Sequence, residues 1–215
     1  MTYDRQPKYL HPYIAVRLQK ILSDISAKFP DGHSVKLLSA HRTPDDQFKL
    51  FKQGRIFRNG SWLKVGPVVT HLDGFVKCSR HNNLPCTAFD VGIFKNKNYL
   101  GESPLYKHVQ EGKKSGLDWG GNWTRFKDQP HLEMPPGLFF KNSLEKDQGL
   151  VWQLYLQKAG TYKSAMDGIF GTNSAIALQK ATGYERRNLE AWDILYEKFG
   201  SLSAADLSQT HRNTP

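Results

Sequence analysis

Apolar residues recur at spacings of three and four from Leu10 through Ile14, Leu18, Ile21, Leu22 and Ile25, the period of a helix with one buried face. This predicts a first helix within residues 10–29. "SVKLLSA", Ser34 to Ala40, is an apolar run of strand length and reads as a short buried strand. In "HRTPDDQFKLFKQGR", Thr43 can cap a second helix, Pro44 fits its first position, Asp45 and Asp46 favour its first turn, and Gly54 suits its end. From about residue 56 to 135 the helical period disappears. Gly, Asn, Pro and aromatic residues dominate there, with β-like pieces at "GPVVT" (66–70), "AFDVGIF" (88–94) and "HLEM" (131–134). Helical spacing returns after "MPPG", through Val151, Leu154 and Tyr155 and again through Ala175, Ile176 and Leu178, on either side of the turn "MDGIFGTNS". The pattern predicts an α+β fold. A small antiparallel sheet with flanking helices and long functional loops occupies 1–142, a small helical module 147–202, and a flexible polar tail 203–215.

One residue conflicts with its surroundings. Asp90 lies inside "AFDVGIF", where an unpaired carboxylate costs several kcal/mol. His81 precedes it and His131 opens another β-like piece. Two histidines and an aspartate on short strands form a complete set of protein ligands for a catalytic zinc that keeps its fourth position for water. A metal would then compensate Asp90. Zinc lowers the pKa of its water to about 7, and a carboxylate off the metal is still needed to move protons. Asp128, just before His131, is the candidate. Trp119, Trp123 and Phe126 surround this stretch and suit either a core or a substrate platform. Taken singly, each His or Asp has an ordinary reading as a packed imidazole or a turn cap; their order along the chain is what raises the functional one.

Ser79-Arg80-His81, Ala88-Phe89-Asp90, Trp119-Gly120-Gly121-Asn122-Trp123 and Asp128-Gln129-Pro130-His131 follow one another in this chain. Together they resemble the zinc peptidases grouped with VanY-type D-alanyl-D-alanine carboxypeptidases and phage L-alanyl-D-glutamate endopeptidases. Their pattern is Ser-x-His, a short turn, Ala-x-Asp, then Trp-Gly-Gly-x-Trp leading to an acid and Pro-His. The resemblance covers about 30–135; the turn from Asn82 to Thr87 is longer than the commonest form. It implies a fold of that peptidase type, Zn²⁺ on His81, Asp90 and His131, and Asp128 as catalytic base. It also carries over Arg42, in "SAHRTPDDQ", to hold a substrate carboxylate or an oxyanion. Gln47 matches a family position too, and with Ser79, Trp119 and Trp123 it completes the expected substrate-binding set. The implied activity is hydrolysis of the peptidoglycan stem peptide, first at the L-alanyl-D-glutamate bond. A D-alanyl-D-alanine carboxypeptidase, sharing every zinc ligand, is the alternative. Gly160, Asp167, Gly168, Ile169, Phe170, Gly171, Ala177 and Leu178 in turn resemble the small three-helix peptidoglycan-binding domain, which would raise the effective substrate concentration on an insoluble polymer.

Charge adds a preference among partners. With 30 Lys+Arg against 20 Asp+Glu the net charge is +10, which favours approach to a polyanion such as an acidic cell wall. No basic arm or helix-turn-helix accompanies it, so nucleic acid is not an expected partner. The N-terminus lacks a basic start followed by an apolar region, and no window nears the ~18 apolar residues of a membrane span. The expectation is a monomer without stable membrane insertion, made in the cytoplasm as an endolysin or prophage-derived lysis protein. It would reach peptidoglycan with the help of a holin or equivalent. Cys78 and Cys86 are too few for a disulfide scaffold. They admit two readings, a structural zinc knot with His81 that lacks a fourth ligand, or a disulfide in an oxidising compartment. From another class, the chain could be a non-catalytic, zinc-stabilised wall-binding protein.

Overall fold

The N-terminal apolar stripe folds as two helices rather than one, α1 (Pro12–Ala15) and α2 (Leu18–Ser26), in a computed structural model that describes residues 5–208. Pro12 disfavours helical backbone at His11, so the helix starts only after it, with Tyr13 N–H donating to His11 Nδ1 at 3.2 Å. Leu10 pairs instead with Cys86 as an isolated parallel bridge. The break at Val16 and Arg17 has a local cause. The Arg17 guanidinium donates to the Tyr13 carbonyl at 2.9 Å, and the Arg17 N–H turns to Ile14 O in a tighter 3-10 step. Ile14, Leu18, Ile21 and Ile25 still share one buried face.

Along the chain follow β1 (His33–Ser39), α3 (Pro44–Phe51), β2 (Arg55–Arg58), β3 (Ser61–Lys64), β4 (Ala88–Lys95) and β5 (Asn98–Tyr99). A 3-10 run, Pro104–Ser115, leads to β6 (Asp118–Trp119) and β7 (His131–Glu133). The main sheet is antiparallel, in the order β1-β4-β7-β6, with β5 also on β4. Side chains alternate across β4: Phe89, Val91 and Ile93 enter the core with Ile21, Ile25, Val109 and Leu132, and Asp90 takes the opposite face. Each fully buried aliphatic side chain there contributes about 1.5–3 kcal/mol. Thr43 caps α3 as its sequence predicts, accepting from Asp46 N–H at 3.2 Å with Pro44 in the first turn.

"GPVVT" is not a strand: Pro67 has no N–H to give a ladder, and its carbonyl lies against Gly54. The strands of this region are β2 and β3, a hairpin whose turn has positive φ at Asn59 (52°) and Gly60 (76°). Asn-Gly is the pair that such a turn favours, and it was legible between "RIFR" and "SWLK".

Beyond residue 143 stand α4 (Leu144–Lys158), α5 (Thr172–Thr182), α6 (Leu189–Phe199) and a short fourth helix, α7 (Ala204–Ser208). They enclose a second core of Val151, Trp152, Tyr155, Leu178, Trp192 and Leu195, joined by Tyr9 from the N-terminus. Of the stretch expected as a tail, 204–208 is helical with Leu207 buried, and 209–215 lie outside the described residues. The seam between the two cores is hydrogen-bonded. Trp152 Nε1 donates to Leu84 O (2.8 Å), Gln148 Nε2 to Pro85 O (3.1 Å) and Trp192 Nε1 to Lys8 O (2.9 Å). The carboxylate of Asp147, fully buried, accepts from the N–H groups of Leu138, Phe139 and Phe140. Among the described residues no helix is long and apolar enough to cross a membrane.

Candidate active site

The sheet register assembles the site. On β4, Asp90 faces Ser39 of β1 on one side and His131 of β7 on the other, and directly opposed residues present their side chains on one face. A 3-10 turn, Arg80–Asn82, brings His81 to the same place. Ser79 caps that turn by accepting from His81 N–H, and Asn82 Nδ2 ties it to the Arg42 carbonyl at 3.0 Å. His81, Asp90 and His131 are the cluster of potential metal-ligating side chains, one atom from each lying within 4.8 Å of the others.

Hydrogen bonds on the far side of each ring decide which atoms face inward. His81 Nδ1 lies 2.6 Å from Ala40 O, an acceptor, so Nδ1 carries the proton and the Nε2 lone pair points to the cluster. His131 Nε2 lies 3.1 Å from Glu133 Oε2, so Nε2–H donates there and Nδ1 turns inward. The converging atoms, His81 Nε2, Asp90 Oδ1 and His131 Nδ1, are 3.2, 2.9 and 3.3 Å apart. For a tetrahedral zinc with ligands at about 2.0–2.1 Å, the ligand edges are about 3.3 Å. Three lone pairs at these spacings repel one another unless a proton or a cation lies between them, and the set fits a metal ion.

Electrostatics agree. Burial would raise the pKa of Asp90, but the charges of His81 and Arg42 outweigh it and hold the carboxyl well below its usual range. Burial works against a proton on His131, yet hydrogen bonds to Asp90 and Glu133 prevail and raise its pKa to about 9. A field that holds a proton this firmly attracts a metal ion in the same way. Asp128 is not a member of that cluster. Burial, with the nearby negative charge of Asp90, raises its pKa to about 6, the range of a carboxyl that can exchange protons near neutrality.

An open cavity of about 900 Å³ runs over the cluster, lined by Arg42, Ser79, His81, Asp90, Trp123, Asp128 and His131. Residues 69–72 and Tyr99, Gly101 and Glu102 also line it, and no motif in the sequence marked those. The guanidinium of Arg42 is largely engaged by protein groups: Nε donates to Ser39 Oγ, Nη1 to Gln47 Oε1 at 3.0 Å, and Nη2 pairs with Asp90 Oδ2. Gln47 is buried behind Arg42, where Nε2 donates to Leu72 O at 3.0 Å, and it does not line the cavity. Trp119 also misses the cavity. It is buried in the core, its Nε1 donating to Gln129 O at 2.8 Å, so it shapes the loop that carries Asp128. Gly120 lets that loop close, since a Cβ there would lie 2.4 Å from Asp128 O.

The cysteines take no part. Neither forms a disulfide; Cys86 Sγ points to the Ala88 carbonyl at 2.8 Å, and Cys78 Sγ to Gly74 O at 3.7 Å. The metal-knot reading fails because His81 directs its free nitrogen to Asp90 and His131.

A family model described as D-alanyl-D-alanine carboxypeptidase matches residues 77–134, the segment holding all three clustered residues and Asp128. Over 141 residues the chain is 32% identical to the peptidoglycan L-alanyl-D-glutamate endopeptidase CwlK of Bacillus subtilis (strain 168), covering 60% of this chain and 76% of that protein. The chain belongs to the M15 peptidase family. Among solved structures, the Serratia marcescens L-Ala D-Glu endopeptidase ChiX is similar over 62% of this chain and 89% of that one, with 19% identity and a TM-score of 0.41. In this M15 peptidase one member of the site was passed over in the sequence: Glu133, on the same face of β7 as His131 and two positions from it. The "HLE" alternation already places it there.

Proposed function

We propose that this peptidase hydrolyses the L-alanyl-D-glutamate bond of the peptidoglycan stem peptide, with Zn²⁺ held by His81 Nε2, Asp90 Oδ1 and His131 Nδ1. The convergence of three lone pairs beneath an open cavity is the observation that carries the reading. When bound, the metal polarises the scissile carbonyl and makes water more acidic. Asp128 takes a proton from the attacking water and returns it to the amine of the departing D-glutamate. Its raised pKa suits both halves of that exchange. Arg42 keeps Asp90 charged and correctly turned, and Glu133, by accepting from His131 Nε2–H, turns Nδ1 towards the cluster. Trp123, with its ring 5.1 Å from that of His131, provides a flat wall for the peptide. The choice of bond rests on the curated relative, which is an L-alanyl-D-glutamate endopeptidase.

The second core from α4 to α7 serves, in this proposal, as a wall-binding module that keeps the enzyme on its polymer. The turn after "MD" supports it: Asp167 Oδ1 accepts from Ile169 N–H (2.9 Å) and Gln153 Nε2 (2.8 Å), giving the Asp-Gly-x-Phe-Gly segment a fixed shape.

Mass spectrometry of purified peptidoglycan after digestion tests the proposal. New N-terminal D-glutamate, absent with Asp128→Asn or with chelator, is expected. Release of terminal D-alanine instead would make the enzyme a carboxypeptidase, the activity that names the matching family model. Sedimentation with the wall and no new amine would overturn the catalytic reading altogether.

A further inference from the structure

The hairpin β2–β3 and the segment after it carry an apolar surface that the peptidase reaction does not use. Ile56, Phe57, Leu63, Val65, Phe75 and Val76 are each between 45% and 88% exposed. All six lie on the hairpin or on the short segment that follows it. The rings of Phe75, Phe48, Trp62 and Phe57 follow one another at centroid separations of 5.1–5.8 Å, on the outer side of α3. None of these residues enters either core. The hairpin has two faces. Phe57 and Trp62, paired across the strands, lie on one, where Trp62 packs on Phe48 and Phe51 of α3, and Ile56 and Leu63 pair on the other. Exposed apolar side chains concentrated on both faces of one short hairpin mark an interaction site.

The charge around it selects the partner. Between residues 55 and 77 stand Arg55, Arg58, Lys64 and Lys77 and a single acid, Asp73. That carboxylate is occupied by the N–H groups of Phe75, Val76 and Lys77 at 2.8–2.9 Å. The patch is therefore apolar and aromatic with a basic rim. Glycan strands and stem peptides offer no greasy counterpart to six exposed aliphatic and aromatic side chains, and a polyanion alone does not call for them. A bilayer with anionic headgroups matches both: acyl chains for the aromatic and aliphatic tips, and phosphates for the basic rim. We propose that β2–β3 with residues 65–77 is a docking element for an anionic lipid surface. The same stretch supplies residues 69–72 to the cavity wall, so docking would hold the active site beside the membrane face of the wall. This stands apart from the choice of bond cut.

Co-sedimentation of the full chain with vesicles tests the proposal. Vesicles of phosphatidylethanolamine and phosphatidylglycerol in equal parts are expected to retain the protein at low salt. Vesicles of phosphatidylcholine alone should bind it about tenfold or more weakly. The Ile56→Ser/Leu63→Ser double variant and, separately, Arg58→Glu/Lys64→Glu should each lose about tenfold or more of that binding. Both should cleave a soluble stem peptide at the wild-type rate. This rate also confirms that each variant is folded. Equal retention of wild type and both variants, or no retention of wild type, overturns the proposal. So does self-association that the Ile56→Ser/Leu63→Ser change abolishes while vesicles capture nothing, since a second copy of the chain would then be the occupant.

Discussion

Replacing His11 by Asn should remove much of the acid sensitivity of this protein's stability. The imidazole is fully buried, with Nδ1 accepting from Tyr13 N–H and Nε2–H directed at Asp147 O, 3.4 Å away. Both ring nitrogens are therefore used by the neutral form, and a second proton would set one N–H against another. Burial, only partly offset by the Asp147 carbonyl, lowers its pKa from 6.5 to about 4. Below pH 6.5 the unfolded chain takes up a proton that the folded chain refuses, so stability falls as pH falls from 6.5 towards 4. With those two values the loss is about 2 kcal/mol at pH 5 and approaches about 3.4 kcal/mol once the pH is below 4. Asn keeps a side-chain acceptor at the cap but does not titrate. Its own cost, a cavity beside Phe139, is the same at every pH. Urea unfolding followed by circular dichroism at pH 7.5 and 5.0 gives the comparison. Wild type should lose about 2 kcal/mol more than the variant on acidification. A difference under about 0.5 kcal/mol, the error of additivity, would refute the reasoning and mean that His11 charges freely in the folded state.

Three further outcomes follow from the site. Glu133→Gln removes the charged acceptor of His131 Nε2–H, and metal affinity measured by competition with a chelating dye should drop about 10–100-fold; unchanged affinity would mean that His131 is oriented by packing alone. With Asp128 ionising near pH 6, kcat/KM on a soluble stem peptide should fall about tenfold per pH unit on the acid side, and Asp128→Asn should cost about a hundredfold or more. A profile level down to about pH 4.5 would remove Asp128 from the role of base. Gly120→Ala places a methyl against Asp128 O; activity should fall while thermal unfolding of the C-terminal core, followed through Trp152 and Trp192, stays in place.

The cap of α3 and the strand around Asp90 could be read directly because their determinants are local: Thr43 and Pro44 for one, an acid inside an apolar alternation for the other. The convergence of His81, Asp90 and His131 was legible from residue types in order, since the antiparallel pairing of β4 with β7 sets Asp90 opposite His131. What escaped depends on contacts distant in sequence or on side-chain competition. Gln47 and Arg42 look like substrate groups on a helix start, but Asp90, far along the chain, draws the arginine and the arginine draws the glutamine. Trp119 resembles a binding aromatic until its indole meets Gln129 O. The split of the first helix turns on the Arg17 side chain claiming its own helix carbonyl, an event that apolar spacing does not record.

The hydrogen bonds from Gln148 and Trp152 to the Leu84–Pro85 turn have a bearing on inheritance and engineering. That turn begins just after His81, so the C-terminal helices brace the peptide that carries this histidine. Domain shuffling usually treats a binding module as cargo that can be exchanged at a linker. Here an exchange at residue 143 would strip two donors and the Trp192–Lys8 bond from the catalytic half. A donor module would have to bring its own Trp and Gln at matching heights, so an exchange that keeps the site intact has to treat the two halves as a matched pair.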